Sequence, residues 1–93
     1  MAEQALRLRL YIAGSSPNSR KAVANLALLR ASLPDAALSL ELVDVFQNPA
    51  RALADGILLT PQLMILSGGD ARMVVGDLSD RAALLSALAL EPP

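Results

Sequence analysis

Leu6-Arg7-Leu8-Arg9-Leu10-Tyr11-Ile12, followed at once by Ala13-Gly14-Ser15-Ser16-Pro17-Asn18, decides how this chain folds. Leu6, Leu8, Leu10 and Ile12 alternate with Arg7, Arg9 and Tyr11, and a period of two predicts a strand with one apolar face. Gly14 to Asn18 breaks the alternation. Ser16 before Pro17 predicts a helix start, with a hydroxyl at the N-cap and proline at the first helical position. Ala22, Val23, Leu26, Leu29 and Leu33 then recur at intervals of three and four, which makes one helical stripe apolar. Arg20, Lys21 and Arg30 lie largely off that stripe. Pro34 predicts the end of the helix, with Asp35 in the turn.

Outward from this unit, Leu38, Leu40 and Leu42 alternate with Ser39, Glu41 and Val43, a second strand reaching about Phe46. Asn48-Pro49 opens a short helix that Gly56 closes. Ile57-Leu58-Leu59-Thr60-Pro61 leads into a third apolar run, Gln62 to Leu66. Ser67-Gly68-Gly69-Asp70 predicts a hairpin, because glycine supplies the positive φ of tight turns. Arg72 to Val75 is the returning strand. After Gly76-Asp77-Leu78, Ser79 is the expected cap of a last helix, with Asp80 at its positive dipole end, Leu84, Leu85 and Leu88 as its apolar stripe, and Glu91-Pro92-Pro93 as its stop. The order βαβαββα places the chain in the α/β class with a thioredoxin-like arrangement. The first two strands are expected to pair in parallel, with Arg7 and Arg9 facing Glu41 in a cross-strand ion pair.

At 93 residues the chain reads as one domain over 1–93, with an ordered core from about 6 to 90. It is 54% hydrophobic, yet Tyr11 and Phe46 are its only aromatics, so the core is built of Leu, Val, Ile and Ala. A domain this small buries only ~60–65% of its unfolded surface, and a partner or self-association adds to its stability. The net charge of −1, scattered basic residues and missing stacking aromatics argue against nucleic acid. Without cysteine or histidine, disulfides, thiolate nucleophiles, Cys-based metal sites and the commonest general base are excluded. A small secreted domain usually needs disulfides, no apolar signal segment is visible, and no stretch approaches the ~20 apolar residues of a membrane span; a cytoplasmic protein is expected.

In thioredoxin-like oxidoreductases the loop before the first helix holds Cys-x-x-Cys. Here it reads Ser15-Ser16-Pro17-Asn18, and capping explains the hydroxyls better than catalysis does. Pro61, after Thr60, occupies the place of the cis-proline that precedes a strand in such folds, and is the candidate for that role. Asp77 and Asp80 lack the further oxygen ligands of a metal site. Gly68-Gly69 lacks the Lys-Ser/Thr of a phosphate loop. No cofactor is expected.

Four segments carry a family resemblance. Leu8 to Ser19 resembles the LYVAGNTPNS opening of the KaiB family of circadian-clock proteins. Leu42 to Pro49 is similar to VIDVLKNP, Ile57 to Pro61 to ILATP, and Val74 to Arg81 to IIGDLSDR, over about residues 6–90 in all. The resemblance implies a thioredoxin-like fold in a family that also switches to another fold. It further implies no catalytic activity and binding to the hexameric ATPase KaiC. KaiA is sequestered with it, and the sensor kinase SasA, whose N-terminal domain is KaiB-like, competes. Gly56, Glu41 and Ile65 stand where family members carry lysine, and Met73 replaces one of two paired arginines, whereas Lys21 and Arg72 keep matching charges. The two-glycine turn replaces a proline-rich LPxPVR segment and favours the hairpin of the thioredoxin-like form. The expected role is a regulatory, partner-binding protein, with Lys21, Asp44, Asn48, Arg51, Arg72 and Asp80 as partner-binding residues. A KaiC-type ATPase is the expected partner, with a KaiA-like protein or a sensor kinase besides, and the chain is a monomer or a homo-oligomer. The alternative is a KaiB-like module acting with a histidine kinase or in stress signalling.

Overall fold

The structure, a computed structural model, describes residues 5–33, 37–67 and 69–88. Its elements are β1 (Ala5–Ile12), α1 (Pro17–Ser32), β2 (Ala37–Asp44), α2 (Pro49–Ala54), β3 (Gln62–Ser67), β4 (Asp70–Val75) and α3 (Arg81–Leu88). The sheet order is β2-β1-β3-β4, with β2 parallel to β1 and the other two pairs antiparallel. Pro34, Asp35, Gly68 and Glu91-Pro92-Pro93, read above as breaks and turns, lie outside the described residues.

The alternation along β1 sets the two faces of the sheet. Leu6, Leu8 and Leu10 are buried on one face beside Leu63 and Ile65 of β3, and α1 and α3 cover them with Ala22, Leu26, Leu29, Leu84, Leu85 and Leu88. Each fully buried leucine contributes about 1.5–3 kcal/mol by leaving water. The opposite face is not simply polar. Tyr11 is completely buried there, and with Val43, Ala52 and Ile57 it forms a second, small core under α2. The period-two reading assigned the odd positions of β1 to solvent; α2 crosses that face and covers its end.

Helix ends explain the boundaries, with corrections to the expected caps. Ser16 occupies the N-cap of α1 and Asn48 that of α2, but neither side chain bonds a free helix N–H. The α3 cap is Asp80 rather than Ser79: its Oδ1 accepts the Ala83 N–H at 3.0 Å. At the end of α2, Gly56 takes φ +71°. Its N–H reaches the Leu53 carbonyl at 3.1 Å and the Ile57 N–H reaches the Ala52 carbonyl at 2.9 Å. That is a Schellman closure, and it drops Ile57 into the small core. β2 ends at Asp44, two residues short of Phe46, because the Asp44 carbonyl receives the Gln47 and Asn48 N–H groups in a turn.

Candidate functional site

The face under α2 holds a polar network built from three elements. The β1–β2 register sets Arg9 opposite Glu41, and Arg9 Nε donates to Glu41 Oε1 at 3.0 Å. From α2, Arg51 grips the same carboxylate with both terminal nitrogens, at 2.7 and 2.9 Å. Arg9 Nη1 donates to Asp55 Oδ2 at 2.9 Å, just past the end of α2. The Tyr11 hydroxyl donates to the same Asp55 oxygen, with the Arg51 carbonyl 3.4 Å away. Two guanidinium groups and two carboxylates thus neutralise one another and tie α2 to the sheet. Their protonation follows. Arg51, then Arg9, hold the Glu41 carboxyl down to about 2. The Tyr11 hydroxyl, then Arg9, hold Asp55 below the usual carboxylate range. Burial, then Asp55, push the Tyr11 hydroxyl up. Of this network the sequence pointed to the Arg9–Glu41 pair and to Arg51; Tyr11 and Asp55 were not expected, and no local signal links residues 44 positions apart.

The next group joins two loops. Asp44 Oδ1 accepts the Gly14 N–H at 3.2 Å and the Phe46 N–H at 2.9 Å, while Asn48 Nδ2 donates to the Asp44 carbonyl at 3.2 Å. Gly14 sits at φ +55° with the Phe46 ring 3.5 Å from where a Cβ would stand. In the first turn of α1, beside the loop that carries thiols in oxidoreductases, Ser19 Oγ is buried and accepts the Ala13 N–H at 3.0 Å and the Ser16 hydroxyl at 2.8 Å. The Thr60–Pro61 peptide is cis, and the Pro61 carbonyl accepts the Gly76 N–H at 2.9 Å.

Asp44, Asn48 and Arg51 therefore share the β2–α2 turn and the first turns of α2. The other three residues singled out in the sequence stand apart. Lys21 is exposed on α1. Arg72 is exposed on β4 and donates to the Ala87 carbonyl at 3.0 Å, and Asp80 caps α3. What the sequence reading missed is apolar: Phe46, Leu53, Leu58 and Leu59 are 74%, 78%, 89% and 61% exposed. All four flank or belong to α2. Leu58 and Leu59 read as the approach to β3, yet of Ile57, Leu58 and Leu59 only Ile57 turns inward. Among the described residues no group of three or more acidic side chains could hold a metal ion, and no helix is long and apolar enough to cross a membrane.

The architecture is thioredoxin-like. Fasciola hepatica thioredoxin superposes with a TM-score of 0.76 at 17% identity, covering 94% of this chain and 81% of that one. The N-terminal domain of Synechococcus elongatus SasA does so with a TM-score of 0.73 at 25% identity, covering 100% and 91%. Family membership comes from the sequence comparisons. The KaiB domain model matches residues 9–90. The circadian clock oscillator protein KaiB of Prochlorococcus marinus (strain MIT 9313) is 40% identical over 83 residues, 89% of this chain and 70% of that protein. The protein of that name from Trichodesmium erythraeum (strain IMS101) is 39% identical over 83 residues, 89% of this chain and 80% of its own length. The chain belongs to the KaiB family, and its relatives support a KaiB-like regulatory role.

Proposed function

We propose that this chain is a non-enzymatic regulator that docks onto a KaiC-type hexameric ATPase through α2 and the loops beside it. The observation that carries the reading is the exposure of Phe46, Leu53, Leu58 and Leu59 around a network whose charges cancel internally. Such a surface offers apolar contact, which survives salt, rather than free cations, whose attraction is screened. Asp44 and Asn48 shape the turn, and Arg51 holds the helix; Lys21, Arg72 and Asp80 are outlying contacts. The test is titration of the chain into a KaiC-type hexamer from the same genome, with ATP, read by size exclusion with light scattering. A complex is expected that weakens little between low and high salt. Leu58→Ser, at a side chain too exposed to stabilise the fold, is expected to weaken it ~5-fold or more. A chain that never joins the hexamer under any nucleotide overturns the reading.

The SasA likeness supports a second reading, a module that acts with a histidine kinase. In that case the same apolar surface engages the kinase, and a pull-down between the chain and the isolated sensor kinase separates the two.

A further inference from the structure

Alternation along β1 puts Arg7, Arg9 and Tyr11 on the face of the sheet that α2 crosses. The register lays this face out in rows: Val43 beside Tyr11, then Glu41 beside Arg9, then Ser39 beside Arg7 with Leu66 on its other side. Helix α2 covers the first row, and its Arg51 reaches the second. The third is left open, with Ser39 and Arg7 exposed and Leu66 partly so. Charge is matched unevenly across the rows. Both Glu41 oxygens accept from Arg9 or Arg51, and Asp55 accepts from Arg9 and Tyr11. Among the described residues no ion pair includes Arg7. Its neighbours across the strands, Ser39 and Leu66, carry no charge. A recess of about 190 Å³ opens beside it, with Arg7, Arg9, Ser39, Glu41 and Leu66 in its lining.

We propose that Arg7 and Ser39 receive a carboxylate side chain, an aspartate or glutamate, of the partner that covers the α2 surface, and that this contact orients the docking. The inference rests on the docking proposed above. Apolar contact is non-directional, so Phe46, Leu53, Leu58 and Leu59 hold a partner without fixing its rotation. One charge pair at the margin fixes it. Arg7 precedes Arg9 by two residues, about 6.6–6.8 Å along the strand, so a partner of ordinary footprint seated on α2 reaches it. A guanidinium presents a planar fork of donors that matches a carboxylate, and the Ser39 hydroxyl adds a further donor. Glu41 in the same recess favours a singly charged carboxylate over a phosphate group, whose second charge it repels. Leu66 gives the stem of the incoming side chain an apolar wall.

The test is titration into a KaiC-type hexamer from the same genome, with ATP, at ~50 mM and ~500 mM salt, because screening separates exposed charge from apolar contact. Arg7→Glu is expected to weaken the complex ~5-fold or more at the lower salt and ~2-fold or less at the higher. Leu58→Ser weakens it alike at both. Arg30→Glu makes the same change of net charge from α1, on the other face of the sheet, and is expected to shift affinity less than ~2-fold. All three variants are expected to keep the parent's circular dichroism, since each altered side chain is exposed. A lysine scan of the hexamer's exposed carboxylates then locates the other half of the pair. One change is expected to weaken the parent complex and to restore Arg7→Glu to within ~3-fold of it. A parent that binds while Arg7→Glu loses no more than Arg30→Glu, or a scan in which no change restores it, overturns this inference and leaves the docking standing. A parent that never joins the hexamer overturns both.

Discussion

Tyr11→Phe isolates one hydroxyl. The ring stays in the small core with Val43, Ala52 and Ile57, so no cavity opens, and what is lost is the bond to Asp55. A hydrogen bond to a charged partner contributes about 1.5–3 kcal/mol. Asp55 keeps Arg9 and is 23% exposed, so water can take the vacated position, which sets the expected loss at about 1–2 kcal/mol. For a chain of this length that lowers Tm by about 4–16 °C. The pH dependence gives a sharper reading. Tyr11 titrates above its ordinary 10.0 in the folded state, so its contribution is complete below pH 10 and lost as pH rises through the folded value. Asp55 is depressed below its ordinary 3.8, so its contribution is present above that value and lost as pH falls through the folded one. Tyr11→Phe is therefore expected to remove the alkaline loss of stability and to shrink the acid loss, by urea unfolding at pH 3, 7 and 11. As the single tyrosine in a chain without tryptophan, Tyr11 also reports its own ionisation by near-ultraviolet absorbance. A variant with unchanged midpoint at pH 7, or an alkaline limb as steep as that of the parent, refutes the reasoning.

Glu41→Gln takes the shared carboxylate from Arg9 and Arg51; with its folded value about 2 against an ordinary 4.5, the parent is expected to lose this contribution only as pH falls from 4.5 toward 2, and the variant to lack that acid transition in an unfolding series. Gly56→Ala forces a Cβ into φ +71° with free space around it, so only backbone strain is felt, about 1 kcal/mol by denaturant midpoint. Leu63→Ala, at a fully buried position in the main core, is expected to cost about 2–5 kcal/mol, enough to leave much of the chain unfolded at 37 °C by circular dichroism.

The main core and the element order were legible because β1 and α1 each carry one unmixed period. Leu8 and Leu10 could face nowhere else, and Leu26 and Leu29 repeat at helical spacing. The second core was not legible. Tyr11 sits at an odd position of β1, in line with Arg7 and Arg9, so only the passage of α2 overhead makes it internal. The caps failed for a related reason. Ser16 and Asn48 have the right chemistry at the right positions, but Ser19 and the Asp44 carbonyl offer them better partners in the folded loops. Ser79 lost its expected role to its neighbour Asp80, a displacement of one residue that propensity cannot resolve. Of the residues expected to bind a partner, Asp44, Asn48 and Arg51 converge because they lie close together in the chain. Exposed leucines were invisible, since a leucine in a sequence reads as core until something shows what covers it.

The same geometry suits the proposed role, binding on a thioredoxin-like fold rather than thiol chemistry. In an oxidoreductase the loop before α1 must leave its reactive atoms free, and the helix terminus acts on a thiol. Here the Ser16 hydroxyl is engaged by Ser19 of α1, and the Gly14 N–H by Asp44 at the end of β2. The ring of Phe46 stands 3.5 Å from where a Cβ on Gly14 would be, an ordinary contact, and the φ of +55° is what asks for glycine there. The loop before α1 and the turn that starts α2 are thus tied to each other. The turn leads into α2, which is held at its far end by Arg9, Tyr11 and Asp55. A surface held at both ends loses little conformational entropy when a partner covers it, and this preorganisation supports the proposed docking through exposed leucines.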